Sequence, residues 1–363
     1  MTELRPPAGR GAPGTCKIGF VGDLMLGRQL NRAYARFAPD TFWSDIGPTM
    51  RACDTVLANL ECPITEATRP DHRCRKAFRF RARREAIDVL GAGNVGYVSL
   101  ANNHTMDFGE AGLRDTVERL TGARIAHGGA GADLATARAG TVLTVGNTKL
   151  GIVAFTDNVP EFAAAPSCPG TNYLSIRAEA AALEAIGAEV ARLRADGVHL
   201  VVVSGHWGWN CRRRPSARFR RFARKVIDLG VDIFHGHSAH LLHGVERRGR
   251  GAILYDTGDF LDDYWVLPGF RIDRSAIFIA SFTHSRLTRL SIVPASLHRM
   301  RVGLAPPREF KAICGHLWRQ SRSWGTRLTP VADALVLDFD RPDTTAASCP
   351  DWAMEREVVP CAA

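Results

Sequence analysis

The chain has 363 residues, a length that suits one large domain or two of ordinary size. Its apolar content of 45% and charged content of 23% are typical of a globular protein in water, and it has neither a run of about 20 apolar residues nor an apolar secretory signal. We therefore expect a cytoplasmic protein without an integral membrane segment, and the formal net charge of +10 favours anionic partners such as phosphates or acidic polymers.

The nine cysteines are an odd number and form no CxxC pair. Scattered single cysteines argue against a disulfide framework and against a zinc cluster held by thiolates. We expect reduced thiols, most of them buried.

The first part of the chain alternates apolar runs with polar ends. Residues 1–15 contain three prolines and three glycines and predict a flexible lead. Apolar runs then predict strands within 17–26, 55–65 and 94–107, each with an acidic or amide side chain at or near its end. Residues 109–123 predict a helix, with Leu113, Val117 and Leu120 on one face and Gly122 as the stop signal.

The second part continues the alternation. A hairpin is predicted from strands at 141–147 and 149–157, and amphipathic helices are predicted at 177–195 and 214–230. Further strands are predicted at 198–208, 231–240 and 252–260. The pattern predicts a layered α/β domain over 16–330 with its motifs in 17–262, followed by a final strand and a loose tail over 331–363.

Polar side chains follow the predicted strands where these end. They are Asp23, Glu61, Asn103, His104, His206, His237 and His240. Because ligand sites of α/β sheets lie outside the carboxyl ends of the strands, we expect these side chains to converge. Carboxylate, amide and imidazole donors together suit zinc, manganese or iron. The sequence therefore predicts one or two divalent transition metal ions at this edge.

Several of these residues also have a structural alternative. His237 and His240 can be loop histidines bonded to backbone, and His206 can be a satisfied core histidine. Of the neighbouring histidines, we assign His235 to the interior of its strand and leave His243 outside the ligand set, near the site or on the surface. The stretch at 99–112 also permits a capped helix start.

Two basic segments bear on the charge of the partner. The arginine run 212–224 is either a solvated helix face or an anion funnel at the mouth of the site. FRFRARRE at 78–85 is a second basic cluster, in which Arg79 is expected to contact an anion. No recognised nucleic-acid-binding fold accompanies these arginines, so we expect no nucleic-acid partner.

Six motifs follow one another in the chain: GDLMLGR, NLECPIT, SLANNHTMDFGEAGL, SGHWGW, DLGVDIFHGHSAHLLHGVE and ILYDTGDF. In this order they resemble the motif series of the CapA/PgsA family of poly-γ-glutamate synthesis proteins, over residues 17–262 and more weakly to about 330. That family is similar in fold to the calcineurin-like metallophosphoesterases. The resemblance implies an α/β (α+β) fold, a four-layer β-sandwich flanked by helices, with a dinuclear metal centre at the strand ends.

The resemblance also implies a set of metal ligands. They are Asp23, Glu61, Asn103, His206, His237 and His240. Asp23 would bind the first metal, Glu61 would bridge the two metals or lie close to doing so, and Asn103 would bind the second. The three histidines would complete the two coordination spheres.

Acid-base chemistry is implied for the pair His104 and Asp107. His104, held by Asp107 or by backbone, would protonate the leaving group. Asn103 would then be a metal ligand beside it, while the role of Asn102 stays open, with backbone capping favoured. We expect Arg79 and Asn210 to contact the substrate.

The chain departs from the related patterns at three positions. Met25 stands where the wider phosphoesterases usually have a histidine, which predicts a weakly held or absent first metal. Asp259 stands where the CapA-type pattern usually has asparagine, and Asn210 stands where it often has glutamate. These changes alter the local charge of the site.

Together, these features predict a metal-dependent hydrolase of CapA type, in which activated water attacks phosphorus or a carbonyl carbon. The substrate would be anionic: a γ-glutamyl amide, a phosphoester or a polyglutamate chain. The alternative is a non-catalytic accessory protein of poly-γ-glutamate (capsule) synthesis or export. Family members in that role look membrane-associated, so the expected lack of a membrane segment favours the hydrolase.

Overall fold

The computed structural model describes residues 14–266 and 269–340. The expected lead at 1–15 lies outside this range except for its last two residues, and the expected tail lies outside it from residue 341 onward.

Within the described residues the strands are β1 (Thr15–Leu24), β2 (Thr55–Leu60), β3 (Val95–Ser99), β4 (Ala126–Gly128), β5 (Ala130–Gly131), β6 (Thr141–Val145), β7 (Thr148–Thr156), β8 (Gly170–Thr171), β9 (Leu200–His206), β10 (Ile233–His237), β11 (Val245–Arg248), β12 (Gly251–Leu254), β13 (Asp259–Leu261), β14 (Arg274–Thr283), β15 (Arg286–His298), β16 (Arg301–Leu304), β17 (Thr329–Val331) and β18 (Ala334–Asp338). The helices of the same range are α1 (Leu30–Ala33), α2 (Gly47–Arg51), α3 (Ala86–Ala92), α4 (Gly109–Gly122), α5 (Leu134–Arg138), α6 (Glu179–Ala195), α7 (Ala217–Asp228) and α8 (Pro307–Arg322), with 3₁₀ segments at Pro39–Ile46 and Pro160–Phe162.

The strands form two large sheets that pack face to face. Over the described residues, the first sheet has ten strands in the order β17-β18-β15-β14-β1-β2-β3-β4, with β13 paired to β1 and β16 paired to β15. The second sheet of the same range has six strands in the order β11-β12-β10-β9-β7-β6. Phe20 and Leu57 from the first sheet share one buried apolar cluster with Ile152 and Val202 from the second. This cluster is the core of the sandwich.

Helices cover the outer faces of both sheets. Leu113 of α4 belongs to the same buried cluster as Val56 of β2. Phe222 of α7 belongs to the same buried cluster as Val203 of β9 on the other side. The order of layers is helix, sheet, sheet, helix, which confirms the predicted four-layer α/β fold.

Most predicted elements form with bounds shifted by a few residues. The helix expected at 109–123 is α4, and the expected hairpin is the antiparallel pair of β6 and β7. The helix expected at 214–230 is α7, which starts after Ser216, whose Oγ accepts a hydrogen bond from the N–H of Phe219 at 3.4 Å. A serine at this position satisfies one of the unpaired N–H groups of the first helical turn.

The sequence predicts one strand over 252–260, and this prediction is wrong. The segment forms β12 in the second sheet and β13 in the first sheet, where β13 runs parallel to β1. Between them the carboxylate of Asp256 accepts hydrogen bonds from the N–H groups of Ala239 and Gly258, at 2.7 and 2.9 Å. Gly258 has φ of 69°, which glycine adopts without steric cost. The chain therefore crosses between the sheets and brings Asp259 to the end of β1.

The C-terminal part of the described chain adds to the first sheet. The final strand expected after residue 330 is β18, which pairs with β15 in antiparallel register. β17 pairs with β18 and straddles residue 330. The division of the chain at 330 stays a prediction.

The state of the cysteines and the character of the helices can be compared with the expectations of reduced thiols and of no membrane segment. Every cysteine in the described ranges is free, and five of these are buried, as expected: Cys16, Cys53, Cys62, Cys74 and Cys314. Within the same ranges, no helix combines the length and the apolar character needed to pass through a bilayer. The cytoplasmic compartment stays a prediction.

Candidate metal centre

The carboxyl ends of strands from both sheets meet at one edge of the sandwich. Asp23 lies on β1, and Glu61 follows β2 directly. His206 and His237 are the last residues of β9 and β10, and His240 lies in the loop after β10. All of them except His240 are at most 1% exposed. The structure therefore brings together five of the six predicted metal ligands.

Asp23, His206 and His237 form the first donor group, in which one ligand atom from each residue lies within 4.8 Å of the others. The Nδ1 atoms of the two histidines are 2.9 Å apart, and they lie 3.8 and 3.6 Å from Oδ1 of Asp23. Burial holds the pKa of both imidazoles well below the ordinary value. Both rings are therefore neutral, which is the form of histidine that binds metal ions.

Ser204 selects the orientation of one of these rings. Its Oγ lies 2.9 Å from Nε2 of His237. When Nε2–H donates to this hydroxyl, the Nδ1 lone pair of His237 is left free toward Asp23. A hydrogen bond of this kind on the far ring nitrogen orients histidine ligands in metal sites.

Asp23, Glu61, His240 and Asp259 form the second donor group, again with ligand atoms within 4.8 Å of one another. Nδ1 of His240 lies 2.7 Å from Oδ1 of Asp259 and 3.6 Å from Oδ2 of Asp23. Burial lowers the pKa of His240, but the surrounding carboxylates outweigh this effect and raise it well above its ordinary value. Asp23 belongs to both groups and presents one oxygen to each, as a bridging ligand of a dinuclear site does.

Three carboxylates of the second group are short of partners. Oδ2 of Asp23, Oε2 of Glu61 and Oδ2 of Asp259 are buried without a hydrogen bond. Burial raises the pKa of Glu61 to about 7, and burial together with the charge of Glu61 raises the pKa of Asp23 well above its usual range. Because unpaired buried charges cost several kcal/mol each, a divalent cation fits this donor set.

The loop that carries His240 has a strained backbone. Ser238 has φ of 113° and His240 has φ of 60°, in the region that residues other than glycine rarely adopt. The hydrogen bond from the N–H of Ala239 to Asp256 holds the loop in this shape. Strain of this kind persists where the surrounding structure enforces it, and it is frequent at functional sites.

Asn59 on β2 joins the two sheets at the centre. Its Nδ2 donates to Oδ1 of Asp23 at 2.8 Å and lies 3.2 Å from Nδ1 of His206. Its Oδ1 accepts a hydrogen bond from Nδ2 of Asn102 at 3.0 Å. Asn59 therefore orients the carboxylate that the two donor groups share.

Asn102 and Asn103 follow β3 and have different surroundings. Oδ1 of Asn102 accepts hydrogen bonds from the N–H groups of His104 and Thr105 at 2.9 and 3.0 Å, which confirms its capping role. Oδ1 of Asn103 is buried without a partner, while its backbone carbonyl accepts a hydrogen bond from Nζ of Lys76. A free amide oxygen suits a metal ligand, and the assignment of Asn103 to the second metal stays a prediction.

His104 and Asp107 form a buried pair. Nδ1 of His104 lies 2.6 Å from Oδ2 of Asp107, and this oxygen also accepts a hydrogen bond from the N–H of Phe80 at 2.7 Å. Nζ of Lys76 donates to Oδ1 of Asp107 and lies 3.0 Å from Nδ1 of His104. Burial lowers the pKa of His104 to about 4, so its ring is neutral. Nε2 of His104 makes no hydrogen bond within the described residues and is available to another group.

The two predicted substrate contacts lie outside the buried donor groups. The guanidinium of Arg79 donates to the backbone carbonyls of Asp71, Cys74 and Lys76 at 2.9, 3.2 and 3.4 Å. These bonds fasten the loop 71–76. Asn210 is exposed in the turn after β9. Contact of either residue with substrate stays a prediction.

Parts of the arginine run 212–224 make ion pairs on the protein surface. Arg221 pairs with Glu179 at 3.1 Å, and Arg224 pairs with Glu246 at 2.6 Å. For these two arginines the contacts favour a solvated helix face over an anion funnel.

The sequence-based set lacks three residues of the site. Asp259 carries a recognisable signal, because an acid stands at the end of an apolar run as it does at Asp23. Asn59 lies within an apolar strand, and Lys76 lies in a segment without periodicity, so no local pattern marks either of them. Met25 is fully buried among apolar side chains, and its Sδ accepts a hydrogen bond from the N–H of Gly27 at 3.3 Å.

The four-layer architecture, with donor groups at the carboxyl ends of its strands, is that of a metallophosphoesterase-like α/β protein. Residues 17–264 match the profile of the family described as bacterial capsule synthesis protein PGA_cap, and the chain belongs to this family.

Individual relatives agree with this assignment. The chain is 34% identical over 295 residues to a probable polyglutamine synthesis accessory protein of Mycobacterium tuberculosis, covering 78% of this chain and 77% of the relative. It is 29% identical over 282 residues to the PGA biosynthesis protein CapA of Bacillus subtilis, covering 77% and 71%. It is 26% identical over 281 residues to the capsule biosynthesis protein CapA of Bacillus anthracis, covering 77% and 66%.

Proposed function

We propose that this protein is a metal-dependent hydrolase that cleaves an anionic substrate, either a γ-glutamyl amide or a phosphoester. The observation that supports this most directly is Asp23, which is shared by two buried donor groups. Three of the oxygens in these groups are buried without a hydrogen bond. Such a set has no evident structural use without a cation, because it concentrates negative charge in a buried place.

The residues divide into two sets of metal ligands. Asp23, His206 and His237 would hold one divalent ion, and Zn, Mn or Fe suits these donors. The second set is Asp23, Glu61, His240 and Asp259, with Asn103 as a further donor. When bound, ions of this kind supply Lewis acidity and make water nucleophilic near neutral pH.

Proton transfer falls to His104. Asp107 accepts from Nδ1–H and thereby turns Nε2 outward, and Lys76 holds the Asp107 carboxylate in place. An anionic substrate beside Nε2 raises the proton affinity of the ring, because an opposite charge favours the imidazolium form. The ring takes this additional proton from solvent and donates a proton from Nε2 to the leaving oxygen or nitrogen. As it does so, the bond from that atom to phosphorus or to the carbonyl carbon breaks and the oxygen of a water molecule forms the new bond.

The test combines metal content with turnover. Purified protein is analysed for bound metal and assayed with γ-glutamyl peptides and with phosphodiesters. The variant H104Q is expected to keep its metal and to lose about 10²–10⁴-fold in rate, whereas D23A loses metal and activity together. H298Q, at an exposed histidine on β15, is the matched control and keeps both. Metal-loaded protein that hydrolyses neither substrate class contradicts the proposal.

The second candidate is a non-catalytic accessory protein of polyglutamate synthesis or export. Its support is the name of the Mycobacterium tuberculosis relative, a probable polyglutamine synthesis accessory protein. In this case the same site binds a polyglutamate chain without breaking it. Metal-loaded protein that binds a γ-linked oligoglutamate and returns it intact would favour this candidate over the hydrolase.

A further inference from the structure

A surface cavity of about 420 Å³ lies at the loop 72–79. Its lining residues are His72, Cys74, Arg75, Lys76, Ala77 and Arg79. None of these residues is acidic. Arg75 and Arg79 carry permanent positive charges, and burial lowers the pKa of the third cation, Lys76. Lys76 connects the cavity to the catalytic pair, because its Nζ contacts both His104 and Asp107.

The loop is fixed by contacts of its own. Besides the three carbonyls that accept hydrogen bonds from Arg79, the N–H of Asp71 donates to the carbonyl of Asp107 at 2.9 Å. The carboxylate of Asp71 pairs with Arg73 at 2.8 Å, and Arg73 lies over the ring of Phe162 at 5.4 Å. The cavity wall is therefore organised before any ligand binds.

The three cationic side chains that line the cavity differ in their hydrogen-bond partners. Lys76 donates to Asp107, and Arg79 donates to backbone carbonyls. Arg75 is exposed, and within the described residues its guanidinium makes no ion pair, hydrogen bond or aromatic contact. Its charge is therefore available to a ligand, and a guanidinium suits a carboxylate or a phosphate because it can donate two parallel hydrogen bonds.

We infer that this cavity is an anion subsite, in which Arg75 binds a carboxylate or phosphate group of the substrate away from the bond that is cleaved. Substrates of the site then carry at least two anionic groups, as an acidic polymer does, and a simple monoester lacks the second contact. The orientation of the substrate toward His104 rests on the proposed function, whereas binding of the anion at Arg75 does not.

The first test is equilibrium binding to the metal-loaded protein. The probes are a γ-linked triglutamate, its neutral carboxamide analogue and inorganic phosphate. R75Q is expected to weaken triglutamate binding about tenfold, the effect of losing one hydrogen-bonded charge contact, and to leave the carboxamide analogue unaffected. If R75Q weakens the binding of inorganic phosphate but not of triglutamate, the subsite binds a phosphate group instead of a carboxylate.

The matched control is R289Q. Arg289 is an exposed arginine on β15, whose partner Ser281 pairs with Lys17 near the start of β1. It therefore lies toward the opposite end of the sheet from Asp23. R289Q removes the same charge from the protein as R75Q and is expected to bind all three probes as the wild type does.

The second test separates the subsite from the proposed hydrolysis. If the protein turns over triglutamate, R75Q is expected to lose about tenfold more in kcat/KM on triglutamate than on the carboxamide analogue. Binding that depends on Arg75 without turnover supports the subsite and contradicts the hydrolase. Equal affinities of wild type and R75Q for triglutamate and for phosphate overturn the subsite, whatever the protein hydrolyses.

Discussion

Asp23 and Asp259 lie directly opposite each other on the parallel strands β1 and β13. The N–H of Asp23 donates to the carbonyl of Gly258 at 3.0 Å. A Cβ atom placed on Gly22 would lie only 1.7 Å from that same carbonyl oxygen. The absence of a side chain at Gly22 therefore allows the two strands to approach, and this approach places both carboxylates in one donor group.

Replacement of Gly22 by alanine tests this relationship. G22A forces the backbone of Gly258 away from β1, because backbone atoms cannot yield as a flexible side chain does. We expect the free energy of unfolding to fall by about 1–3 kcal/mol, the usual cost of overpacking, and metal affinity to fall with it. Urea denaturation and calorimetric zinc titration measure the two effects.

Gly91 provides the control for that experiment. It lies in α3, and a Cβ atom there would meet nothing within 4 Å. G91A is expected to raise the free energy of unfolding by about 0.5–1 kcal/mol, because alanine loses less backbone entropy in a helix, and to leave zinc binding unchanged. Unchanged stability and zinc binding in G22A would contradict the role given to the strand contact.

Asp259 is expected to determine the affinity of the second donor group. Asp259→Asn keeps the shape of the side chain but removes one negative charge and weakens the acceptor for Nδ1 of His240, now 2.7 Å away. Loss of a carboxylate that hydrogen-bonds and orients a metal-binding histidine typically reduces metal affinity by about 10–100-fold. Metal titration of the variant should show the second equivalent bound more weakly than the first.

A surface carboxylate serves as the comparison for Asp259. Asp228 is half exposed, and Arg248 pairs with it at 2.8 Å. D228N removes the same charge from the protein without touching the site, so its metal titration should match that of the wild type. If D259N and D228N titrate alike, Asp259 is not a metal ligand.

The positions of four donor residues explain which part of the site could be predicted from the sequence. Asp23, Glu61, His206 and His237 each lie at the end of a strand or directly after it, so a local apolar run is enough to locate them. Parallel pairing brings the strand ends together within each sheet, and the ligand site of an α/β sheet is expected at these ends. The four-layer fold, which places the ends of the two sheets side by side, is implied by the family resemblance of the six motifs in their order.

Asp259 and Lys76 could not be placed in the same way. The position of Asp259 depends on the crossing from β12 to β13, which is set by the hydrogen bond from Ala239 to Asp256 and by the close approach of Gly22 to Gly258. Both of these contacts join residues far apart in the chain. Lys76 lies in a loop without periodicity, whose shape depends on the bonds from Arg79 to backbone carbonyls. No local pattern encodes such contacts.

Lys76 is expected to stabilise the fold through its contacts with the buried pair of His104 and Asp107. K76M leaves the buried Oδ1 of Asp107 without its ammonium partner, although Oδ2 keeps the N–H of Phe80. Leaving a buried charged acceptor unsatisfied costs about 1–3 kcal/mol, which urea denaturation can resolve. K76R restores a cation and should recover part of this loss. Equal stability of K76M and the wild type would show that the contact contributes nothing.

His243 is expected to make the stability of the protein depend on pH. Its Nε2 lies 2.6 Å from the carbonyl oxygen of Arg212, and its Nδ1 is buried without a partner. Of the two positions expected for His243, beside the site or on the surface, the surface position is therefore wrong. Burial lowers the pKa of this histidine to about 4 in the folded protein, whereas an unfolded chain has a value of about 6.5. At pH values between these two pKa values, His243 binds a proton in the unfolded state but not in the folded state. Stability therefore falls as the pH decreases from about 6.5 toward about 4.

Comparison of the wild type with H243Q isolates this contribution, because the other buried histidines titrate in both proteins. Glutamine can still donate to the carbonyl of Arg212 but takes up no proton. Each pH unit within the window changes the contribution of His243 by about 1.4 kcal/mol. The stability of the wild type relative to H243Q should thus decrease by about 2 kcal/mol between about pH 6.5 and about pH 5, measured by urea denaturation at each pH. A stability difference that stays constant across this range would mean that His243 is protonated as readily in the folded protein as in the unfolded chain.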